Sequence, residues 1–119
     1  MIDSTAGLPI QKERFIRDLN NIRNKSNEGT EYWFARDIQE RLGYARWENF
    51  VEVIGKAQKA CESTGVDTQN HFLNLTKKVR VGSGAMADKE DYILSRYACY
   101  LVAMNGDPRK REIGFAQRL

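Results

Sequence analysis

The chain has 119 residues, 41% hydrophobic and 29% charged, a balance that is ordinary for one soluble globular domain. It contains no apolar run of membrane-spanning length and no signal-peptide segment, so we expect a cytoplasmic protein without a membrane partner. The net charge of +3 comes from the C-terminal third, because residues 74–119 hold nine Lys/Arg against five Asp/Glu. Such an excess favours an anionic partner.

The chain carries few of the residues that catalysis or metal binding requires. Cys61 and Cys99 fall on the apolar faces of predicted helices and are expected to be buried free thiols. With His71 as its one histidine and no Cys-x-x-Cys pair, the sequence lacks the ligands of a zinc site. It also shows no nucleophilic triad and no phosphate-binding glycine loop. The sequence therefore predicts a protein that is not an enzyme and uses neither cofactor nor metal.

The first half of the chain reads mainly as helix. Apolar residues at helical spacing predict a helix from Ile10 to about Lys25, and the aromatic run at 32–34 predicts a short strand. Two further helices are predicted over 35–42 and 46–62. Their outline matches a helix-turn-helix, but the second helix begins with few side chains suited to reading bases. We interpret the pair as core scaffold that leaves three arginines able to contact phosphates: Arg36, Arg41 and Arg46.

A β-hairpin is predicted next. Apolar and polar residues alternate over 73–81, residues 82–85 (Gly-Ser-Gly-Ala) supply the turn, and 91–94 form the return strand. Lys77, Lys78 and Arg80 make the first arm basic. Such a ribbon can lie along a duplex or enter a groove. Lysines at a sheet edge also protect ordinary hairpins against strand addition, so both interpretations stay open here.

The end of the chain combines a buried helix with a basic turn. The helix is predicted to end at Asn105-Gly106, and Asp107 is expected to cap a further helix with Pro108 in its first turn. Three cations then stand at the positive end of the helix dipole, an unfavourable place that predicts a bound phosphate: Arg109, Lys110 and Arg111. The alternative is a solvated helix start whose charges are screened by salt.

Several dispersed segments resemble a known family. The segments LSRYACYL (94–101) and NGDPRK (105–110) stand in order with YWFAR (32–36) and GSGA (82–85). This combination is similar to the DNA-damage-inducible protein D family and, more distantly, to the N-terminal domain shared by baculovirus repeated-ORF proteins and phage antirepressors. The resemblance covers roughly residues 31–117.

The resemblance implies an α+β domain associated with DNA in bacterial damage-response proteins and mobile elements, with no cofactor and no established catalysis. Arg36, Arg96, Arg109 and Lys110 match its motifs and become candidate DNA contacts. Relatives tend to carry a basic residue where this chain has Met86-Ala87. They also continue beyond residue 119, so the final helix is expected to be cut short.

Taken together, these patterns predict a flexible lead-in over residues 1–9 and one α+β domain over 10–119, with four to five helices and a small antiparallel sheet. The predicted function is non-catalytic binding of DNA or of a DNA complex, mainly through phosphates. The alternative is a module that inhibits another protein, such as a recombinase filament, a repressor or a phage-defence complex; a homodimer is compatible with either. The candidate phosphate contacts are Lys77, Lys78, Arg80, Arg96, Arg109, Lys110, Arg111 and Arg36.

Overall fold

The computed structural model describes residues 7–107 and 109–110, with side chains described from residue 14 onward. This part of the chain forms four α-helices, a four-stranded antiparallel sheet and one short 3₁₀ helix, which confirms the predicted α+β class. The elements in chain order are α1 (Gly7–Ile22), β1 (Asn24–Lys25), β2 (Glu31–Phe34), α2 (Ala35–Arg41), α3 (Trp47–Ser63), the 3₁₀ helix (Thr68–Asn70), β3 (Phe72–Arg80), β4 (Met86–Leu94) and α4 (Arg96–Met104).

The sheet has the strand order β1-β2-β4-β3, and its hairpin is much longer than its other strands. β3 and β4 pair along their full length, from Phe72 opposite Leu94 to Arg80 opposite Met86. β2 pairs with β4 only near its C-terminal end, where Trp33 lies opposite Leu94. The part of the hairpin from Thr76 to Glu90, here called the distal hairpin, therefore extends past β2 as a two-stranded ribbon.

One hydrophobic core lies between the sheet and the helices. Trp33 and Leu94 are fully buried and supply its sheet side, while Phe50 and Ile54 of α3 supply the helical side at i, i+4 spacing. α4 lies next to β2 and β4, and α3 packs chiefly against α4. α1 joins through the Trp33 indole, whose Nε1 donates to Leu19 O at 2.7 Å.

The two cysteines are buried within this core, as the sequence predicts. Burial raises the pKa of the Cys61 thiol and, more strongly, the pKa of the Cys99 thiol. Both residues therefore act as small apolar side chains rather than as reactive thiols.

The second face of the sheet is less covered, and we call it the open face. Side chains alternate along a strand, so Phe34, Ile93 and Leu73 point away from the core that Trp33 and Leu94 enter. Leu73 is 54% exposed. The apolar residues of β3, such as Leu73 and Leu75, thus lie on the open face and not on the face that packs against the helices.

A buried carboxylate joins the hairpin to α2. Phe34 precedes this helix and has no side-chain oxygen to cap it, so the cap comes from β4. Asp91, 0% exposed, accepts hydrogen bonds at Oδ1 from Arg36 N (3.1 Å) and Tyr92 N (2.7 Å). The Lys77 ammonium lies 2.8 Å from Asp91 Oδ2 and balances its charge without an aligned hydrogen bond. Negative charge at a helix N-terminus is stabilising, so Asp91 fixes the hairpin on α2.

The structure differs from the sequence predictions at several boundaries. α1 begins at Gly7 and ends at Ile22, so residues 7–9 are helical rather than part of a lead-in, and residues 1–6 lie outside the described residues. Asn24–Lys25 is a strand rather than a helix end, because the turn after Ser26 brings it beside β2. The return strand of the hairpin begins at Met86 rather than at 91. The helix predicted after Pro108 lies outside the described residues.

Among the described residues, no helix has both the length and the apolar character needed to cross a bilayer.

Candidate nucleic-acid interface

Apart from Arg96, the described members of the predicted set fall in two regions that are held at opposite ends of α2. At its N-terminal end, the Arg36 Nε donates to Glu90 O of the distal hairpin at 2.8 Å. At its C-terminal end, Gly43 O accepts a hydrogen bond from the Lys110 Nζ at 3.1 Å. The seven residues of α2 span about 10 Å. The hairpin and the segment from Asn105 to Lys110, here called the basic turn, are therefore two separate basic regions.

In the distal hairpin, the cations differ in how firmly they are held. Lys78 is 70% exposed and forms an ion pair with Asp88, its direct neighbour across the ribbon. Arg80 is exposed near the tip and makes one long hydrogen bond, from Nη1 to Gly84 O at 3.4 Å. Lys89 is exposed and has no ion-pair partner within the described residues. Arg80 and Lys89 are therefore the hairpin cations most accessible to an anion.

Two further predicted cations brace the base of the hairpin. The Lys77 ammonium lies 3.6 Å from the centre of the Phe34 ring as well as beside Asp91. The Arg36 guanidinium lies 4.1 Å from the centre of the Trp47 ring. The Trp47 Nε1 in turn donates to a carboxylate oxygen of Glu90 at 3.2 Å. These contacts orient the hairpin on the body of the domain.

Arg96 is the most firmly engaged of the predicted cations. Its Nε and Nη2 donate to the two oxygens of Glu31 at 2.8 and 3.0 Å, and Nη2 also donates to Asn20 Oδ1 at 2.7 Å. The Arg96 bonds lower the pKa of the Glu31 carboxyl, and the same bonds raise the pKa of Arg96. We call this arrangement the Glu31–Arg96 clamp, since it joins α1, β2 and α4. A phosphate would have to displace a bidentate carboxylate to reach Arg96.

The basic turn is closed by its own aspartate. Asp107 Oδ1 accepts a hydrogen bond from Arg109 N at 2.9 Å, a contact of the kind that a capping side chain makes; the helix it was predicted to cap lies outside the described residues. The Arg109 guanidinium also binds the same carboxylate, and these bonds lower the pKa of Asp107 to about 2. Arg109 is nevertheless 89% exposed, whereas the Lys110 ammonium is seated 4.7 Å from the centre of the Tyr44 ring. Arg111 lies outside the described residues.

A groove of about 600 Å³ runs between the basic turn and the first half of α3. Its α3 wall includes the N-cap residue Arg46 together with Asn49 and Lys56, which lie seven residues apart on one face of the helix. Lys56 was not among the predicted contacts, because a lysine on the outer face of a helix carries no signal of its own. The signal that was available is the helical face it shares with Asn49.

Among the described residues, no group of three or more His, Cys, Asp or Glu side chains is placed to hold a metal ion.

Comparison with known proteins identifies the family. The model for the BRO family, N-terminal domain, matches residues 21–116. The chain is also 43% identical over 89 residues to DNA damage-inducible protein D of Escherichia coli strain K12, a match that covers 75% of this chain and 32% of that protein. The chain thus spans about a third of the length of this curated relative. No solved structure matches it.

These matches confirm the resemblance seen in the sequence, and the family model covers both basic regions of the structure. The chain therefore belongs to the BRO family, as an N-terminal domain of that family.

Proposed function

We propose that this domain is a non-catalytic DNA-binding module of a regulatory protein that acts in a DNA-damage response or in a mobile element. The observation that carries the proposal is the distal hairpin, a two-stranded ribbon that extends past β2 and carries exposed cations on both faces. The damage-response setting is supported by the similarity to the damage-inducible relative.

The size of the distal hairpin suits a duplex. Five residue pairs, from Thr76 opposite Glu90 to Arg80 opposite Met86, give it a length of about 17 Å. A two-stranded ribbon is one of the elements that the major groove admits. Because the base of the ribbon is fixed on α2 through Asp91, it can be presented to DNA as a preformed arm.

The charge of the distal hairpin suits phosphate contacts rather than base reading. Residues 76–90 contain four Lys/Arg and two Asp/Glu, a net charge of +2. Lys78 and Arg80 point to one face, and Lys77 and Lys89 to the other, because neighbouring residues alternate along a strand. Exposed cations that meet backbone phosphates supply affinity without much sequence specificity.

The eight predicted contacts are not equal in this proposal. Arg80 has only a weak internal partner, while Lys78 and Arg109 are exposed with aspartate partners that a phosphate can replace. The other described members of the set are held in internal contacts and stay predictions as DNA contacts: Arg36, Lys77, Arg96 and Lys110. Because Lys89 is exposed, we add it to the accessible cations Arg80, Lys78 and Arg109.

The test is the salt dependence of binding to a short DNA duplex, measured by fluorescence anisotropy. The double variant Arg80→Glu, Lys89→Glu should weaken binding about tenfold or more and reduce the slope of log Kobs against log salt by about 2. The control is the double variant Arg14→Glu, Arg17→Glu, at two exposed residues of α1, which makes the same total change of charge. Equal losses in both variants would show attraction by net charge alone and would contradict the hairpin assignment.

A protein-interaction module is the second candidate, and the open face of the sheet favours it. Tyr32, Phe34 and Ile93 are partly exposed there beside Leu73, whereas the other sheet face is packed against helices. A folded domain that fails to bind duplex DNA at low salt, yet binds one protein stoichiometrically through a surface abolished by Leu73→Lys, would replace the DNA proposal with this one.

A further inference from the structure

The groove between α3 and the basic turn has a charge pattern that the hairpin does not explain. Four cations line it, two from each wall: Arg46 and Lys56 from the α3 side, and Arg109 and Lys110 from the turn. Glu52 and Asp107 also line it, which leaves a net charge of +2. On each wall one cation already meets an acid: Arg109 holds Asp107, and Arg46 forms an exposed ion pair with Glu48 at 3.4 Å. Lys56 and Lys110 have no ion-pair partner within the described residues, so they supply the excess positive charge.

The groove also has a buried floor and walls that are held in place by hydrogen bonds. Its floor contains Tyr44 and Val53, which are 8% and 6% exposed. The far wall is held in place because Tyr44 Oη accepts a hydrogen bond from Asp107 N at 2.9 Å, and Lys110 Nζ donates to Gly43 O. Two fixed walls over an apolar floor are the usual construction of a small-ligand site.

The lining indicates the chemistry of the ligand. Cations on both walls suit a phosphate between them. Asn49 and Glu52 stand on the same side and offer amide and carboxylate groups to hydroxyl or amino hydrogens, which a bare phosphate does not carry at neutral pH. A volume of about 600 Å³ lies within the range of sites for molecules of nucleotide size.

We propose that this groove binds an unpaired, phosphate-bearing nucleotide of a DNA strand, with its phosphate between Arg46, Lys56 and the cations of the basic turn. The proposal rests on the proposed DNA function and names a second point of contact. In a duplex the hydrogen-bonding edges of the bases are occupied by pairing, so the groove selects single-stranded ends or extruded nucleotides.

The experiment is an NMR titration of the ¹⁵N-labelled domain with a 5′-phosphorylated thymidine tetranucleotide. We expect shifts at the Asn49 side-chain amide and at the backbone amides around Lys56 and Asp107. Lys56→Glu should weaken binding about fivefold, and Lys56→Gln should weaken it about twofold. The matched control is Lys59→Glu, three residues along the same helix and exposed but outside the groove, which should change the Kd less than twofold.

Three results would overturn the proposal. One is an equal loss in Lys59→Glu, which would mean attraction by net charge only. Another is a Kd for inorganic phosphate equal to that for the tetranucleotide, which would reduce the groove to a bare anion site. The third is tighter binding of free thymidine 5′-monophosphate, which would assign it to free nucleotides. Duplex binding is measured on the hairpin variant and tetranucleotide binding on the Lys56 variants, so this inference and the duplex proposal can fail separately.

Discussion

The Glu31–Arg96 clamp and the distal hairpin use the same kinds of side chains for opposite purposes. In the clamp, a half-buried guanidinium meets both oxygens of one carboxylate and also binds Asn20. In the hairpin, Lys78 meets Asp88 where both are well exposed, and Arg80 has one long internal hydrogen bond. An arginine is therefore more available to a phosphate where its internal partner is weak or where the pair is exposed to solvent.

The energetic difference follows from solvent. An exposed ion pair such as Lys78–Asp88 contributes about 0–1 kcal/mol, because water and salt screen it. The Glu31–Arg96 pair is bidentate and partly buried, so it is screened less and breaking it costs more. We therefore expect DNA phosphates to compete more readily for the hairpin cations than for Arg96.

The largest expected effect concerns the attachment of the hairpin. Asp91→Ala should lower the free energy of unfolding by about 3 kcal/mol, because it removes a buried carboxylate that caps α2 and pairs with Lys77. Chemical denaturation measures this change. Asp88→Ala, three residues away on the same strand but exposed, should cost less than about 1 kcal/mol. Equal costs would mean that Asp91 does not anchor the hairpin.

Loss of the Glu31–Arg96 clamp should lower the stability of the domain and leave its binding to DNA unchanged. Arg96→Ala is expected to lower the free energy of unfolding by about 2 kcal/mol, since Glu31 and Asn20 both lose their partner. The salt slope of duplex binding should stay at its original value. A slope reduced by about 1 would identify Arg96 as a phosphate contact and contradict the assignment of this residue to the clamp.

Within the hairpin, the engaged and the free cation should differ in their effect on DNA binding. Arg80→Ala should weaken duplex binding about fivefold, because Arg80 has only one long internal hydrogen bond to give up. Lys78→Ala should weaken duplex binding less, because Lys78 has to leave its ion pair with Asp88 before it can bind a phosphate. Anisotropy titrations at one salt concentration compare the two. The reverse order would show that Lys78 faces the DNA more directly.

The smallest expected effect is the pH dependence of the clamp. Because the Arg96 bonds lower the pKa of Glu31 from 4.5, its contribution to stability is present above that value and is lost as the pH falls through the lower folded-state pKa. Glu31→Gln should therefore reduce the loss of stability between about pH 5 and pH 3. Denaturation curves of both proteins across that range would show it, and parallel curves would exclude the clamp as its source.

The elements were predictable where they carry a local pattern. Apolar residues at helical spacing placed α2 and α3 within one residue of their observed ends, Asn105-Gly106 marked the end of α4, and the aromatic run at 32–34 marked β2. β1 carries no such pattern, since its two residues become a strand only by pairing with β2. The first half of β4 is polar and charged, so its strand structure depends on hydrogen bonds to β3.

The candidate site was predictable only in composition. The excess of cations after residue 74 and the basic hairpin were visible in the sequence. The partner of each cation was not, because Arg96 meets Glu31 across 65 residues and Arg36 reaches Glu90 across 54. The groove also escaped prediction, since its two walls are separated in the chain and are brought together by tertiary contacts such as the hydrogen bond between Tyr44 and Asp107.

The sequence by itself determined the α+β class, the family and the presence of a basic ribbon, because periodicity, turn residues and motifs act over short distances along the chain. The tertiary structure alone decided which cations face solvent and which support the fold. The physical reason is that the availability of a charge depends on its nearest opposite charge and its exposure to water, and both are set by residues distant in sequence.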